Sequence, residues 1–304
     1  MTKPVYHNPV LLQACIDLLN IQPSGVYVDL TFGGGGHSAH ILKHLGEKGR
    51  LFAFDQDEDA KRNVLQDPRF TLIPQNFRYL KNYLRLYGVN KVSGILGDLG
   101  VSSHQFDEAE RGFSIRFEAE LDMRMNRKSA LSARILLNTY SVEQLAKLFR
   151  DYADLPQAGR LARLIAESRM EKEIVNTADL REAIKTCLPK FEENKFMARV
   201  FQALRMEVNQ EVDALRECLE QCVDLLESGG RLVIISYHSI EDRMVKNLMR
   251  SGNTEGREEK DIIYGTGKKV FRLLGSKPIV PEEEEIRNNT RARSAKLRAA
   301  EKLD

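Results

Sequence analysis

Three aspartates and a run of glycines are spaced like the parts of one ligand site. Asp29, Asp55 and Asp98 each lie at the end of a short apolar run, and Gly33–Gly36 follow the first run and lead into a helical pattern. If the apolar runs are parallel strands, the glycines bring the backbone close to a ligand at the carboxyl edge of the sheet. Carboxylates at that edge stabilise a positive charge and repel a phosphate. The pattern therefore favours a ligand with a cationic centre.

Two cofactors compete for such a site. Gly34, Gly36 and Ala39 satisfy a loose G-x-G-x-x-A pattern, which is typical of nicotinamide dinucleotide enzymes. A dinucleotide places a doubly negative pyrophosphate over the helix N-terminus, where Asp29 and Asp98 would repel it. S-adenosylmethionine has no phosphate, and its sulfonium and amino groups are positive. The charges favour S-adenosylmethionine, with a dehydrogenase as one alternative and a flexible turn without ligand as another.

Four side chains are candidates for specific roles in the same crevice, Asp55 among them. Asp55, about twenty residues past the glycines, is placed to hydrogen-bond ribose hydroxyls. Phe77 follows the third apolar run, where it would lie against an adenine ring or serve as an ordinary core aromatic. Gln105 offers an amide donor and acceptor beyond Asp98. His238 follows the last run and either accepts a proton or makes a structural hydrogen bond.

The elements that must position these residues alternate between strands and helices. Such alternation predicts an α/β fold with a Rossmann-like, doubly wound sheet. From 105 to 195 the strand signals stop and helical signals follow, including a capping box at Ser141 and Gln144. We predict a discontinuous domain over 1–104 and 196–304, an inserted all-helical domain over 105–195, and one long helix over about 195–227. The predicted strands are 26–30, 51–55, 70–74, 94–99 and 231–237.

Composition excludes several classes of protein. The 304 residues are 42% hydrophobic and 30% charged, and no apolar run approaches the roughly 20 residues of a membrane span. The first nine residues lack the apolar core of a secretory leader. We therefore expect a cytoplasmic protein without a membrane partner. The four cysteines are interpreted as small core residues and no metal site is predicted, because no second ligand pair accompanies them.

An ordered set of motifs runs from the N-terminus to a basic C-terminal stretch. Together they resemble the bacterial small-subunit ribosomal RNA cytosine-N4 methyltransferase family, RsmH or MraW. Each motif alone is modest, but their order and spacing are specific. The motifs are HNPVLL (7–12), TFGGGGHS (31–38), DLGVSS (98–103), ERGFS (110–114), LDMRM (121–125), FQALR (201–205), HSIEDR (238–243) and RARSAKLR (291–298).

The resemblance implies a class I S-adenosylmethionine-dependent methyltransferase with a helical substrate-recognition insertion. It implies methylation of N4 of a cytidine in the decoding region of 16S rRNA, a partner found in the small ribosomal subunit. A non-catalytic ribosome-assembly factor of the same fold is the alternative, and the oligomeric state, including a homodimer, is left open. The implied cofactor contacts are Gly35, Gly36, His37, Asp55, Phe77, Asp98 and Gln105.

The chemistry at an exocyclic amino group sets what the site must supply. That nitrogen is a poor nucleophile, so acceptors must orient an N–H bond and take a proton, whereas no enzyme nucleophile is needed. We expect Asp98 and nearby carbonyls to do this, with Ser102 or Ser103 assisting and His238 as a second candidate. Basic residues near the start of the insertion and in the C-terminal stretch are expected to hold RNA phosphates. They are Arg111, Arg124, Arg291, Arg293, Lys296 and Arg298.

Overall fold

A computed structural model describes residues 9–257 and 269–304, apart from the side chain of Ser103. The first two residues of the HNPVLL motif lie outside this range. The chain forms two compact units, one built from 1–100 and 212–304 and the other from 101–211. Among the described residues, no helix is both long and apolar enough to cross a membrane.

The first unit is built on a sheet that contains seven strands within the described residues. The strand order is β3-β2-β1-β4-β5-β7-β6, in which β1 to β5 are parallel and β7 is antiparallel to both β5 and β6. The predicted doubly wound α/β sheet of a class I methyltransferase is confirmed. The strands are β1 (Val26–Asp29), β2 (Arg50–Phe54), β3 (Phe70–Ile73), β4 (Val92–Asp98), β5 (Leu226–Ser236), β6 (Phe271–Leu273) and β7 (Lys296–Lys302).

Burial explains why these segments form inner strands. β2 and β4 are buried over nearly their whole length, which requires the continuous apolar runs seen in the sequence. Strand order reverses between β1 and β4, and in open α/β sheets ligands bind outside the carboxyl ends of strands at such a point. The helices of this unit are α1 (Leu12–Leu19), α2 (Gly36–His44), α3 (Leu80–Leu86), α10 (Glu211–Leu225), α11 (Ser239–Ser251) and α12 (Glu283–Asn288).

The basic C-terminal stretch is part of the sheet. β7 lies between β5 and β6, and its residues Leu297, Ala299 and Ala300 are buried. Small and apolar side chains between the charged ones make this possible, because alternate residues of a strand point to opposite faces.

The second unit is helical, and its core is contributed by nearly every helix. The capping box predicted at the start of α6 is confirmed, since Gln144 N–H donates to Ser141 Oγ and Ser141 N–H donates to Gln144 Oε1. The helices are α4 (Ser103–Asp107), α5 (Ala133–Thr139), α6 (Val142–Ala153), α7 (Ala158–Glu171), α8 (Thr177–Ala183) and α9 (Glu193–Val208).

The chain divides between the units at positions that differ from those predicted. The apolar face of α9, including Met197, Phe201 and Leu204, is buried in the helical core, so α9 belongs to the helical unit. The prediction of one helix over about 195–227 is wrong, because α9 ends at Val208 and α10 begins at Glu211. Gln210 has a φ of 50°, a left-handed conformation that a continuous helix does not allow.

Candidate functional site

Asp29, at the carboxyl end of β1, is buried, and each of its two carboxylate oxygens accepts a hydrogen bond. The Thr31 N–H donates to Oδ1 at 3.0 Å, and the Ser38 hydroxyl donates to Oδ2 at 2.7 Å. The side chain is 1% exposed. Its two hydrogen bonds connect the end of β1 to the glycine loop and to the first turns of α2. Two donors therefore hold the carboxyl group of Asp29 in one orientation at this edge of the sheet.

Asp55, directly after β2, holds the other side of the glycine loop. Its Oδ2 accepts the Gly33 N–H at 2.8 Å and its Oδ1 accepts the Asp57 N–H at 2.8 Å. Burial raises the pKa of Asp55 to about 6, and the charges of Asp57 and Asp29 act in the same direction. A cation bound nearby would lower that pKa again, because it favours the ionised form.

The glycine loop needs its glycines for two different reasons. Gly35 has a φ of 76°, and a Cβ there would lie 2.9 Å from the ring of Phe32. A Cβ on Gly36 would lie 2.3 Å from Cγ of Pro9. The first position requires a left-handed backbone and the second a close approach of the preceding chain, so larger residues would displace the start of α2.

Asp98, the last residue of β4, differs from the other two because its two oxygens have unlike neighbours, a tyrosine hydroxyl and a histidine ring. The Tyr237 hydroxyl donates to Oδ1 at 2.7 Å, while Oδ2 lies 4.0 Å from Nδ1 of His37. The side chain is 24% exposed. Burial raises the pKa of Asp98 to about 6, against the opposing effects of His37 and of the Tyr237 hydrogen bond. Asp98 thus combines a partly exposed side chain with a pKa near neutrality.

His37 lies in the first turn of α2 and is 6% exposed. Its Nε2 lies 3.1 Å from the carbonyl oxygen of Val10. Since a carbonyl can only accept, Nε2 carries the hydrogen and Nδ1 is the nitrogen that faces Asp98. The ring is thereby held in one orientation between the chain before α1 and the end of β4.

His238 faces the first turn of the helix that it precedes. It is the N-cap of α11, where its Nδ1 accepts the Glu241 N–H at 3.5 Å. Its Nε2 lies 2.9 Å from Oε1 of Glu241, and both side chains are almost buried. Both ring nitrogens therefore face Glu241, which favours the structural interpretation of this histidine over the catalytic one.

Phe77 begins a short 3₁₀ helix just after β3 and is half-buried. Its ring packs partly against the core of the α/β unit. Phe77 therefore contributes to the core, and the part of it that stays exposed leaves the alternative of an adenine contact open.

Gln105 and Ser102 lie in the helical unit, where they cap α4 together. Gln105 N–H donates to Ser102 Oγ at 3.3 Å, and Ser102 N–H donates to Gln105 Oε1 at 3.0 Å. Gln105 is 4% exposed. The predicted role of Ser103 concerns a side chain that lies outside the described part of the structure.

Two of the arginines predicted to bind RNA support the fold of the helical unit. Arg111 is 1% exposed, and its guanidinium donates to the carbonyl oxygens of Arg124 and Met125 at 3.0 and 3.2 Å. Arg124 forms a two-pronged ion pair with Asp122 and donates to the Ser129 carbonyl at 2.8 Å. A buried guanidinium such as that of Arg111 presents no charge to a phosphate.

The basic C-terminal residues divide into paired and exposed ones. Arg298 donates from Nε to Asp242 Oδ1 at 2.6 Å and from an Nη to Oδ2 at 3.2 Å. Lys296 lies 3.6 Å from the same carboxylate but keeps 45% of its side chain exposed. Arg293 is exposed and Arg291 is half-buried, both in a 3₁₀ helix before β7. Arg293 and Lys296 thus present accessible positive charge.

The cysteine near this edge of the sheet is poorly suited to act as a nucleophile. Cys15, on α1, is the cysteine that is electrostatically close to Asp29 and Asp98. It is fully buried, and burial together with those two carboxylates and Glu285 raises the pKa of its thiol well above the usual value. The reactive thiolate is therefore disfavoured.

Comparisons with known proteins decide the family. The family model described as the MraW methylase family matches residues 4–303. The chain belongs to that family. Curated relatives named "Ribosomal RNA small subunit methyltransferase H" are 56% identical in Christiangramia forsetii, 55% in Flavobacterium johnsoniae and 52% in Bacteroides fragilis. Each alignment covers at least 98% of this chain and 98% of the relative.

Membership of the methylase family agrees with the class I sheet and with the carboxylates at its edge. A methylase of this fold uses S-adenosylmethionine as its methyl donor, which confirms the predicted cofactor. The dehydrogenase alternative is not supported. Two contributors were missing from the predicted site, Tyr237 and Ser38. Ser38 lies within the TFGGGGHS motif, and Tyr237 follows β5 directly, so a search of strand ends for polar side chains would have found Tyr237.

Proposed function

We propose that this protein transfers a methyl group from S-adenosylmethionine to N4 of a cytidine in the decoding region of 16S rRNA. The observation that carries the proposal is the geometry of the Asp98 carboxylate, whose Oδ1 accepts the Tyr237 hydroxyl while Oδ2 lies 4.0 Å from His37. The relatives' printed name supports a small-subunit ribosomal RNA as the substrate.

The α/β unit offers a consistent set of groups for the cofactor. Asp55 is placed to accept hydrogen bonds from ribose hydroxyls, and Asp29 and Asp98 supply negative charge for the sulfonium and amino groups. Gly35, Gly36 and His37 would allow the close approach at the start of α2, and Phe77 would contact the adenine. When bound, S-adenosylmethionine supplies an electrophilic methyl group. Gln105, in the helical unit, remains a proposed contact through its amide.

Asp98 is the proposed acceptor for the target amino group. Its Oδ1 already accepts the Tyr237 hydroxyl, so Oδ2 would accept an N–H of the cytosine and orient the nitrogen lone pair toward the methyl group. Methylation makes the nitrogen cationic, and one of its protons must then leave. A carboxylate with a pKa of about 6 can take that proton near neutral pH.

The cysteines support nitrogen rather than carbon as the methylated atom. Methylation of C5 of cytosine requires a thiolate that attacks the ring. Cys15 is buried and its thiol pKa is raised, and Cys187, Cys218 and Cys222 are buried as well. An exocyclic amine needs no enzyme nucleophile, so these residues fit the N4 reaction.

The proposed RNA contacts lie mainly on the α/β unit. In the α/β unit, Arg293 and Lys296 are the accessible cations, and Arg291 is kept as a proposed contact. Arg111 and Arg298 are not proposed as RNA contacts, because hydrogen bonds within the protein engage both guanidinium groups. Arg124 is partly exposed and paired with Asp122, so it is proposed only as a secondary RNA contact. The target base must also leave its stack to reach the edge of the sheet.

The test is nucleoside mass spectrometry on 16S rRNA, both free and within small subunits, after reaction with purified protein and S-adenosylmethionine. The proposal predicts N4-methylcytidine at one position. Formation of 5-methylcytidine, or of a methylated purine alone, would contradict it. RNA binding without any methyl transfer to either substrate would favour the assembly-factor alternative.

A further inference from the structure

The carboxylate of Asp98 has two oxygens in different surroundings. Oδ1 accepts the Tyr237 hydroxyl at 2.7 Å, whereas Oδ2 faces His37 at 4.0 Å, beyond hydrogen-bonding distance. Tyr237 is itself held, since its backbone N–H donates to Oε2 of Glu241 at 3.0 Å. The hydroxyl therefore reaches Asp98 from a fixed position directly after β5.

We propose that Tyr237 is a positioning residue for methyl transfer: its hydroxyl fixes the plane of the Asp98 carboxylate and leaves Oδ2 as the oxygen that meets the target amine. This inference rests on the proposed function. A carboxylate without this hydrogen bond could rotate about its Cβ–Cγ bond and present either oxygen. Precise orientation matters because nitrogen, methyl carbon and sulfur must lie in line.

The hydroxyl also holds Asp98 in the reactive form. A donor to a carboxylate favours its ionised state and so lowers its pKa. Burial and the Asp98 charge raise the pKa of Tyr237, so the hydroxyl keeps its proton and acts as the donor throughout the working range.

Several charged or titratable groups face Asp98 from the surrounding elements. They come from four elements besides the end of β5: His37 on α2, Asp29 on β1, Glu241 on α11 and Cys15 on α1. His37 opposes the effect of burial on the Asp98 carboxyl, while Asp29 and Glu241 add to it. With the hydroxyl gone, His37 alone among these groups would still favour the carboxylate.

The decisive variant is Tyr237→Phe, which removes one oxygen and keeps the ring. Tyr27→Phe is the matched control, because Tyr27 is also a buried tyrosine of the α/β unit and its oxygen accepts the Gln22 N–H at 2.8 Å away from Asp98. The pH dependence of kcat and KM would be measured for both variants with 16S rRNA and labelled S-adenosylmethionine.

For Tyr237→Phe we expect the acid limb of the kcat profile to move up by about one pH unit, and kcat at neutral pH to fall about tenfold, as expected for a lost hydrogen bond to a charged group. KM for RNA should stay unchanged. Tyr27→Phe should overlay the wild type. A Tyr237→Phe profile that coincides with the wild type, or an equal shift in both variants, would overturn the inference.

Two further measurements keep the test decisive. If Tyr237→Phe folds poorly, site-specific fluorotyrosine at position 237 makes the hydroxyl a stronger donor and should move the acid limb to lower pH, and no movement would overturn the inference. If the wild-type protein binds S-adenosylmethionine but makes no N4-methylcytidine, the proposed function fails by itself. The effect of the hydroxyl on Asp98 is then tested by the pH dependence of cofactor affinity, which should shift in Tyr237→Phe and not in Tyr27→Phe; no shift in Tyr237→Phe would overturn the inference.

Discussion

Two neighbouring parts of the sheet edge use the same residue type in different ways. At the ends of β1 and β2, Asp29 and Asp55 accept backbone N–H groups and the Ser38 hydroxyl, so their oxygens serve the glycine loop. At the ends of β4 and β5, Asp98 has one oxygen held by Tyr237 and keeps 24% of its side chain exposed. We propose that the first part binds the cofactor and that the second meets the reacting amine.

The comparison shows that partners, rather than proton affinity, separate the two roles. Burial raises the pKa of Asp55 and of Asp98 to the same value of about 6. A perturbed pKa therefore makes both residues candidates for the site but does not tell which one would touch the reacting atom. The two carboxylates differ in the number of hydrogen bonds that they already accept, two for Asp55 and one for Asp98. Substitutions can test whether this difference separates binding from reaction.

The largest effect is expected for Asp98→Asn. The amide keeps the shape but cannot take a proton, so kcat at saturating S-adenosylmethionine should fall by about 10²- to 10⁴-fold. Asp67→Asn is the control, since Asp67 forms its ion pair with Arg69 on the same unit. Both are measured by tritiated methyl transfer. Full turnover by Asp98→Asn would contradict the proposal that Asp98 accepts the proton.

Asp55→Asn should affect binding rather than turnover. One of the two side-chain oxygens that accept backbone N–H groups becomes an NH₂ group, which then faces an N–H donor. The negative charge proposed to stabilise the cofactor is also lost. We expect KM for S-adenosylmethionine to rise about 10- to 100-fold, the size of one or two hydrogen bonds to a charged group, while kcat is retained. A fall in kcat with unchanged KM would reverse the assignments of the two carboxylates.

The affinity for S-adenosylmethionine should depend on pH in one direction. In the free protein Asp55 and Asp98 have pKa values of about 6, and a bound cation requires their ionised forms. Above pH 7 both are ionised and affinity should be flat. As the pH falls below 6, each carboxyl must lose a proton on binding, so affinity should fall by up to about tenfold per pH unit for each group. Equilibrium titration from pH 5 to pH 8 measures this.

Ser38→Ala tests the hydrogen bonding of Asp29 through stability. The hydroxyl is buried and donates to Asp29 at 2.7 Å, and its loss leaves a buried carboxylate with one donor fewer. The free energy of unfolding in urea should fall by about 1–3 kcal/mol. Ser24→Ala, at an exposed position of the same unit, should change it little. Equal unfolding curves for the two variants would show that Ser38 does not support Asp29.

The smallest expected effect concerns two basic residues near the C-terminus, one proposed to bind RNA and one that supports the fold. Arg293→Ala should weaken RNA binding a few-fold and reduce the slope of log affinity against log salt by about one. Arg298→Ala should instead lower stability, because Asp242 loses its two-pronged partner. Filter binding at several salt concentrations and thermal unfolding separate the two. The opposite pattern would restore Arg298 as an RNA contact.

The sequence alone was sufficient to predict the inner strands of the sheet and most of the polar residues at their carboxyl ends. Apolar runs identify buried parallel strands, and the residue that ends each run must lie at the carboxyl edge. That rule located Asp29, Asp55 and Asp98 without knowledge of any contact. The glycine run located the start of α2, since it marks a βα turn.

Contacts between distant parts of the chain could not be predicted in this way. The Tyr237 hydroxyl meets Asp98 because β5 pairs with β4, a register that no local pattern fixes. Arg298 is predicted from the sequence as an RNA contact, and its ion pair with Asp242 depends on its place on β7, which the basic stretch did not indicate. Gln210 has no turn signature of its own, and a long apolar periodicity hid the end of α9.

The most direct test of the cationic site is to count protons during binding. Calorimetric titration with S-adenosylmethionine at pH 6, in two buffers of different ionisation enthalpy, gives the number released. Two carboxylates that are half protonated at pH 6 should together release about one proton per bound cofactor. Saturable binding with no proton release would contradict the account, because the carboxylates at the sheet edge would then not sense the positive charge.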